Sequence, residues 1–259
     1  MINLMVVNKR EKPNRKYKEG KLEKLLEAQV ENVIAVGWRP EEVVIVANFE
    51  HEHMGIKTVF AELNGHCLSG SKMFAVKWLL DNGKCGENEI IYAHDLDAWQ
   101  NYWFDPPEMR DVGITTYSTS KYNGGSVFWR PAAADIVDRV VEEIEKGEEQ
   151  EEPALNRLLK SKDYRDRVTL LDNTYNVGCS GFVPRATRAK KPIRVSHFNP
   201  FNRIAWETHR MDRNYEGVVS ISARLEELLR RHFNLATAIA DVKGIERGKE
   251  EWVKNEKKK

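Results

Sequence analysis

The sequence has no apolar run approaching the roughly 20 residues that a membrane helix requires, so no spanning segment is expected. It also lacks the pattern of a secretory leader. In MINLMVVNKR the basic residues follow the apolar ones, the reverse of a signal peptide, and a cytoplasmic protein is expected. Cysteine is scarce: Cys67, Cys85 and Cys179 are odd in number and share no Cys-x-x-Cys spacing, which argues against a disulfide framework or zinc knuckle and for buried thiols. An excess of one charge is missing too. With 41 Lys and Arg against 40 Asp and Glu, bulk attraction to nucleic acid or membrane has no basis, and only local patches matter. No segment repeats.

What is present is a chain of 259 residues, which allows one large α/β domain or two small ones with ample core, one domain with an appended tail being favoured. Ile2 to Val7 is a compact apolar run and reads as a strand. A helix follows from Lys21, with Leu22, Leu25, Leu26, Val33 and Ile34 near helical spacing, and stops near Gly37. Val43 to Ala47 is the next strand, completing a β-α-β unit whose default is right-handed and parallel. Thr58 to Leu63 is a further short strand, and a helix capped by Ser69 or Ser71 runs to about Leu80. Strands are expected at 89–93, 112–117, 168–171 and 193–197, with a glycine turn at Asn123-Gly124-Gly125 leading into another. Helices are expected from Pro131, from Glu151 and over about 223–233.

The chemistry gathers around Glu89-Ile90-Ile91-Tyr92-Ala93-His94-Asp95-Leu96-Asp97. A buried strand here ends in two carboxylates one residue apart, and open α/β sheets bind ligands beyond the carboxyl ends of their strands. Such oxygen ligands suit Mg²⁺ or Mn²⁺ holding a diphosphate; the plainer alternative is an Asp-rich turn. His197 ends a later strand, where imidazole can join carboxylates on Mn²⁺ or simply pack. Glu151 and Glu152 precede Pro153 at a helix start, which capping alone would explain. Trp99, Tyr102, Trp103 and Phe104 form a local aromatic cluster, either core or a stacking surface for a sugar or base. Two basic stretches, 9–18 and 185–194, are either solvated loops or a surface for a polyanion.

Taken in order, these pieces resemble the GT-A-fold, nucleotide-sugar-dependent glycosyltransferases. They are a strand at residue 2, Lys72 on the helix ahead of Asp-x-Asp, then Asn123-Gly124-Gly125 and an acidic pair before Pro153-Ala154-Leu155-Asn156. Tyr175-Asn176 and a strand ending Ser196-His197-Phe198 complete them, so the resemblance covers residues 2–206. It implies an α/β fold: a GT-A-like, Rossmann-like catalytic domain over 1–208, with a mostly parallel central sheet flanked by helices, and a C-terminal helical extension with a charged tail over 209–259. It also implies that Asp95, Asp97 and His197 bind Mn²⁺ or Mg²⁺, and that Glu151 or Glu152 is the catalytic carboxylate. Val7, Asn8, Lys72, His94, Asn123, Gly124 and Gly125 would contact the nucleotide-sugar, a UDP-sugar being favoured. Relatives commonly follow the histidine with glycine and Lys-Pro-Trp; here Phe198-Asn199-Pro200 stands instead, and Arg203 takes the place of the diphosphate-binding lysine. The acceptor is left open, with hydroxymethylated DNA one option through the basic stretches. Two other classes compete. A metal-dependent nucleotidyltransferase would use the same carboxylates but wants a phosphate-cradling loop after its first strand, where this chain has no glycine until Gly20. A non-catalytic nucleic-acid-binding protein would leave the acidic residues without a task.

Overall fold

The computed structural model describes residues 1–9, 20–61, 63, 71–117, 121–146, 150–178, 186, 188–201 and 221–233. Arg203, Arg185, positions 10–18 of the first basic stretch, Cys67, Cys179 and the charged tail lie outside the described residues.

Strand β1 (Ile2–Val7) alternates between two cores, as a strand covered on both faces must. Ile2 and Leu4 join one core, and Met5 and Val7 the other. Helix α1 (Lys21–Val36) supplies Leu25, Leu26, Val30 and Val33 to the Met5 side and stops at Gly37, whose φ of 114° suits glycine. β2 (Val43–Ala47), the two-residue β3 (Glu52–His53) and β4 (Ile56–Phe60) follow. Helix α2 (Ser71–Asp81) then packs Met73, Ala75, Val76 and Leu79 on the Leu4 side. It leads to β5 (Ile91–His94) and β6 (Ala98–Gln100). β7 (Val112–Thr116) and β8 (Tyr122–Trp129) form an antiparallel pair. α3 (Ala134–Glu145) and α4 (Glu151–Leu158) cover the same face as α2. β9 (Val168–Leu170), β10 (Val177–Gly178), β11 (Val195–His197) and α5 (Ala223–Phe233) complete the described elements.

The main sheet has the order β3-β4-β2-β1-β5-β8-β7-β9, and a small sheet has the order β10-β11-β6. β1 is parallel to β2 and β5, β2 to β4, and β7 to β9; β8 runs against both neighbours, and β3 against β4. The expected mostly parallel sheet flanked by helices is therefore present. The reversal of β8 matters most for the site, because it sets the start of β8 beside the end of β5, with His94 opposite Ser126.

Two local expectations need correction, and one alternative left open is resolved. Asn123-Gly124-Gly125 is not a turn before a strand but part of β8 itself, which begins at Tyr122. The strand expected at 58–63 lies at Ile56–Phe60, and short polar β3 gave no apolar pattern to read. Trp99, within the aromatic cluster, belongs to strand β6; it and Phe104 are buried core, whereas Tyr102 and Trp103 are exposed, with Trp103 edge-on to Trp38 beyond the end of α1.

Candidate active site

Five elements deliver their ends to one place. Strand parity decides the side on which each residue of β5 emerges: His94 follows Tyr92 toward the α1 core, and Asp95 turns to α2. Asp95 is anchored by its own N–H, which donates to the Gly125 carbonyl at 3.0 Å. Lys72, in the first turn of α2, is buried and donates from Nζ to Asp95 Oδ1 and the Gly124 carbonyl, both at 2.6 Å, while lying 3.2 Å from Glu151 Oε1. A buried ammonium needs such compensation. Burial alone would lower its pKa, but Asp95 and Glu151 outweigh that and hold it above its ordinary value.

Glu151 opens α4 and is only 3% exposed. Burial pushes its carboxyl up to about 7, with Lys72 pulling the other way. Glu152 points elsewhere. It accepts from the Tyr117 hydroxyl at 2.9 Å and pairs with Lys121 at 2.8 Å. The two adjacent glutamates therefore have different surroundings, one dry and beside Lys72, the other at the protein surface.

His197, at the end of β11, brings Nε2 to 3.1 Å from Asp97 Oδ1 and 3.5 Å from Asp95 Oδ2. Its Nδ1 meets Asn176 Oδ1 at 3.1 Å. Burial opposes the imidazolium, but the two carboxylates overcome it and raise the His197 pKa. Asp95 is held below its usual range; burial acts upward, and Lys72 and His197 prevail. Ligand atoms of Asp95, Asp97 and His197 all lie within 4.8 Å of one another, and the two Asp side chains keep 42% and 23% exposure. Two carboxylates and one imidazole, fixed on the protein side and reachable from solvent, form a donor set that fits Mn²⁺ or Mg²⁺. Asn176 as the partner of the other imidazole nitrogen supplies the orienting contact that metal-binding histidines need.

Gly125 makes this approach possible. A Cβ there would overlap the His197 ring, so no other residue leaves room for the histidine. Asn123 Oδ1 accepts from the Gly125 N–H at 2.9 Å, and its Nδ2 is buried without a partner among the described residues. Asn8, just past β1, donates from Nδ2 to Ser71 Oγ at 2.7 Å and ties the β1 end, with buried Val7, to the start of α2.

His94 is not brought into this group. Its ring stacks on Tyr92 at 4.7 Å; Nδ1 lies 3.0 Å from the Asp95 carbonyl and Nε2 2.9 Å from Asn3 Oδ1. Burial lowers its pKa to about 4, so the ring is neutral and has one N–H for two oxygens. Turning the Asn3 carboxamide over presents its NH₂, otherwise without a partner among the described residues, to Nε2 and leaves Nδ1–H for the carbonyl. Sequence reasoning named Ser71 only as a candidate helix cap and assigned no role to Asn176, Asn3 or Gln29. Only Asn176, beside Tyr175, stood in a motif that could have indicated it.

No protein-family profile and no curated protein sequence matches the chain. Among solved structures, it is similar to galactosyltransferase LgtC in complex with donor and acceptor sugar analogs, with a TM-score of 0.54 and 14% identity over 94% of this chain and 99% of that one. An active-site mutant of LgtC gives 0.53 and 13% over 88% and 95%. Glycosyltransferase GlyE of Streptococcus pneumoniae TIGR4 gives 0.50 and 14% over 91% of this chain and 64% of GlyE. The chain has the fold of the GT-A glycosyltransferases.

Proposed function

We propose that this protein transfers a glycosyl group from a nucleoside diphospho-sugar, with a UDP-sugar favoured, to a hydroxyl acceptor. The observation that carries the reading is the convergence of Lys72, Asp95, Asp97, Glu151 and His197 at the carboxyl ends of β1 and β5, on a fold shared with sugar-transferring enzymes. In the transfer, the bond from the anomeric carbon to the diphosphate oxygen breaks, a bond to the acceptor oxygen forms, and the acceptor proton leaves. Asp95, Asp97 and His197 would hold Mn²⁺ or Mg²⁺, which would supply Lewis-acid stabilisation of the departing diphosphate.

The chain's own residues do the rest. Val7, Asn8 and Lys72 border the donor; Arg203, outside the described residues, is assigned to the diphosphate from its place in the sequence alone. Asn123, Gly124 and Gly125 shape the sugar side indirectly, the two glycines by leaving room for His197 and Glu151. Glu151 is the carboxylate beside the reacting carbon, because it is dry, next to Lys72 and raised to about 7, a value suited to exchanging a proton near neutrality. Glu152, held by Tyr117 and Lys121, stands apart from this group. The basic stretches at 9–18 and 185–194 make a polyanionic acceptor, including hydroxymethylated DNA, part of the test.

Release of nucleoside diphosphate from UDP-, GDP- and other activated sugars, with and without Mn²⁺ and with and without hydroxymethylated DNA, tests this directly. Metal-dependent release from one donor is expected, and stimulation by DNA would identify that acceptor. Asp97→Asn should lower turnover by about 10²–10³-fold, corresponding to several kcal/mol of charge stabilisation, with the fold intact. Unchanged turnover in that variant would exclude the metal site.

A further inference from the structure

Helix α1 turns an otherwise apolar face to the core through Leu25, Leu26, Val30 and Val33, yet Gln29 and Asn32 stand among them fully buried. Burying a carboxamide is costly unless it is paired, and an apolar side chain would stabilise this core at least as well. Both are paired, and toward one target. Gln29 Nε2 donates to the Ala98 carbonyl at 2.8 Å, just beyond Asp95-Leu96-Asp97. Gln29 Oε1 accepts from Asn32 Nδ2 at 3.2 Å, and Asn32 Oδ1 accepts from Arg224 Nη2 of α5 at 3.0 Å. Each end of the Gln29 amide is thus fixed. At the other end of the loop, His94 Nδ1 meets the Asp95 carbonyl at 3.0 Å. Two more backbone bonds close the loop: Ala98 N–H to Asp95 O and Phe198 N–H to Asp97 O, both 2.9 Å.

We propose that Gln29 is a positioning residue for the two carboxylates: it holds the Ala98 carbonyl from the α1 side, His94 holds the Asp95 carbonyl, and together they set the separation of Asp95 and Asp97. This rests on the reading of Asp95, Asp97 and His197 as a metal site. Gln29 touches neither metal nor substrate and acts through the loop alone, as supporting groups behind metal ligands do.

The test is Mn²⁺ binding by the full chain without donor or acceptor, followed by the electron paramagnetic resonance signal of the free ion, well below the unfolding temperature. Gln29→Met keeps volume and removes the donor; it should weaken Mn²⁺ binding about 10-fold. Val33→Ala, on the same buried face, should lower the melting temperature and leave Mn²⁺ affinity unchanged. Should Gln29→Met not fold, Gln29→Asn keeps a carboxamide one methylene too short to reach Ala98 and is read in the same way. Wild-type Mn²⁺ affinity in the Gln29 variant overturns the inference and leaves the metal site standing. An equal loss in Val33→Ala overturns it as well, since the effect would then be general softening. Absence of Mn²⁺ binding by the wild-type chain overturns both the inference and the metal site.

Discussion

Gly125 and Gly124 are neighbours in β8 with opposite tolerance for a side chain. A Cβ at Gly124 would meet Glu151 Oε1 at 3.4 Å and Leu155 Cδ1 at 3.6 Å, which is ordinary contact. At Gly125 it would overlap the His197 ring, and the histidine, held between Asn176 and Asp97, has no slack. Gly125→Ala should therefore cost about 1–3 kcal/mol of stability by overpacking and should weaken Mn²⁺ binding, while Gly124→Ala should leave both near wild type. Paired thermal melts and metal titrations of the two variants check this; equal behaviour would mean that His197 is free to move aside. The adjacent glutamates divide in a similar way. Glu151→Gln keeps size but loses the ionisable group beside Lys72, so kcat should fall at least 10²-fold with little change in donor KM. Equal losses in both constants would mark Glu151 as a helix-start residue that supports the fold. Glu152→Gln, at the surface with Lys121, should have the smaller effect on kcat.

Among elements, legibility followed the strength of the pattern. The long amphipathic helix α1 and the apolar strands β1, β2 and β5 were plain in the sequence because burial imposes a period on many consecutive residues. β3, β6 and β10, two or three residues each, carry no period, and their pairing comes from tertiary contacts. The two carboxylates and the histidine stood out as residue types. Their meeting was implied by the family resemblance alone and by no local pattern, because it depends on the reversal of β8 and on β11 pairing with β6, which brings His197 opposite Ala98 across about a hundred residues of chain. Another contact invisible to local patterns joins β3, α1 and α5: Glu31 lies 3.2 Å from His53 Nε2, 3.1 Å from His232 Nε2 and in an ion pair with Arg231. Burial would raise the Glu31 pKa, yet His232, His53 and Arg231 hold it below 4.5. A carboxylate depressed in the folded state stabilises it above the unfolded pKa and loses that contribution as pH falls through the folded pKa. The wild-type advantage over Glu31→Gln in thermal melts should be full at pH 6 and shrink steadily below about 4.5. A constant difference across that window would remove Glu31 as an ionic tie to α5.

The whole molecule sets α5 in the same core as the strand that begins it. Leu225, Leu228 and Leu229 are at most 5% exposed and pack in the cluster that contains Met5, Val7, Leu25 and Tyr92. Arg224 of the same helix donates to the Gln100 carbonyl at 2.9 Å and to Asn32, and so reaches the polar chain that ends at Ala98. Burying one leucine contributes about 1.5–3 kcal/mol, so exposing the sites of three costs on the order of 5 kcal/mol, comparable with the entire stability of many domains. A chain ended after 220 should therefore lose its cooperative thermal transition and near-ultraviolet circular dichroism relative to one ended after 233, which keeps every described core contact. The polar chain adds a finer expectation at Arg224. Arg224→Met preserves the leucines and most of the buried stem, so it should melt within a few degrees of wild type but bind Mn²⁺ less tightly, because Asn32 and then Gln29 lose their orientation. Wild-type Mn²⁺ affinity in Arg224→Met would confine α5 to a packing role and leave Gln29 to orient itself through Asn32 alone.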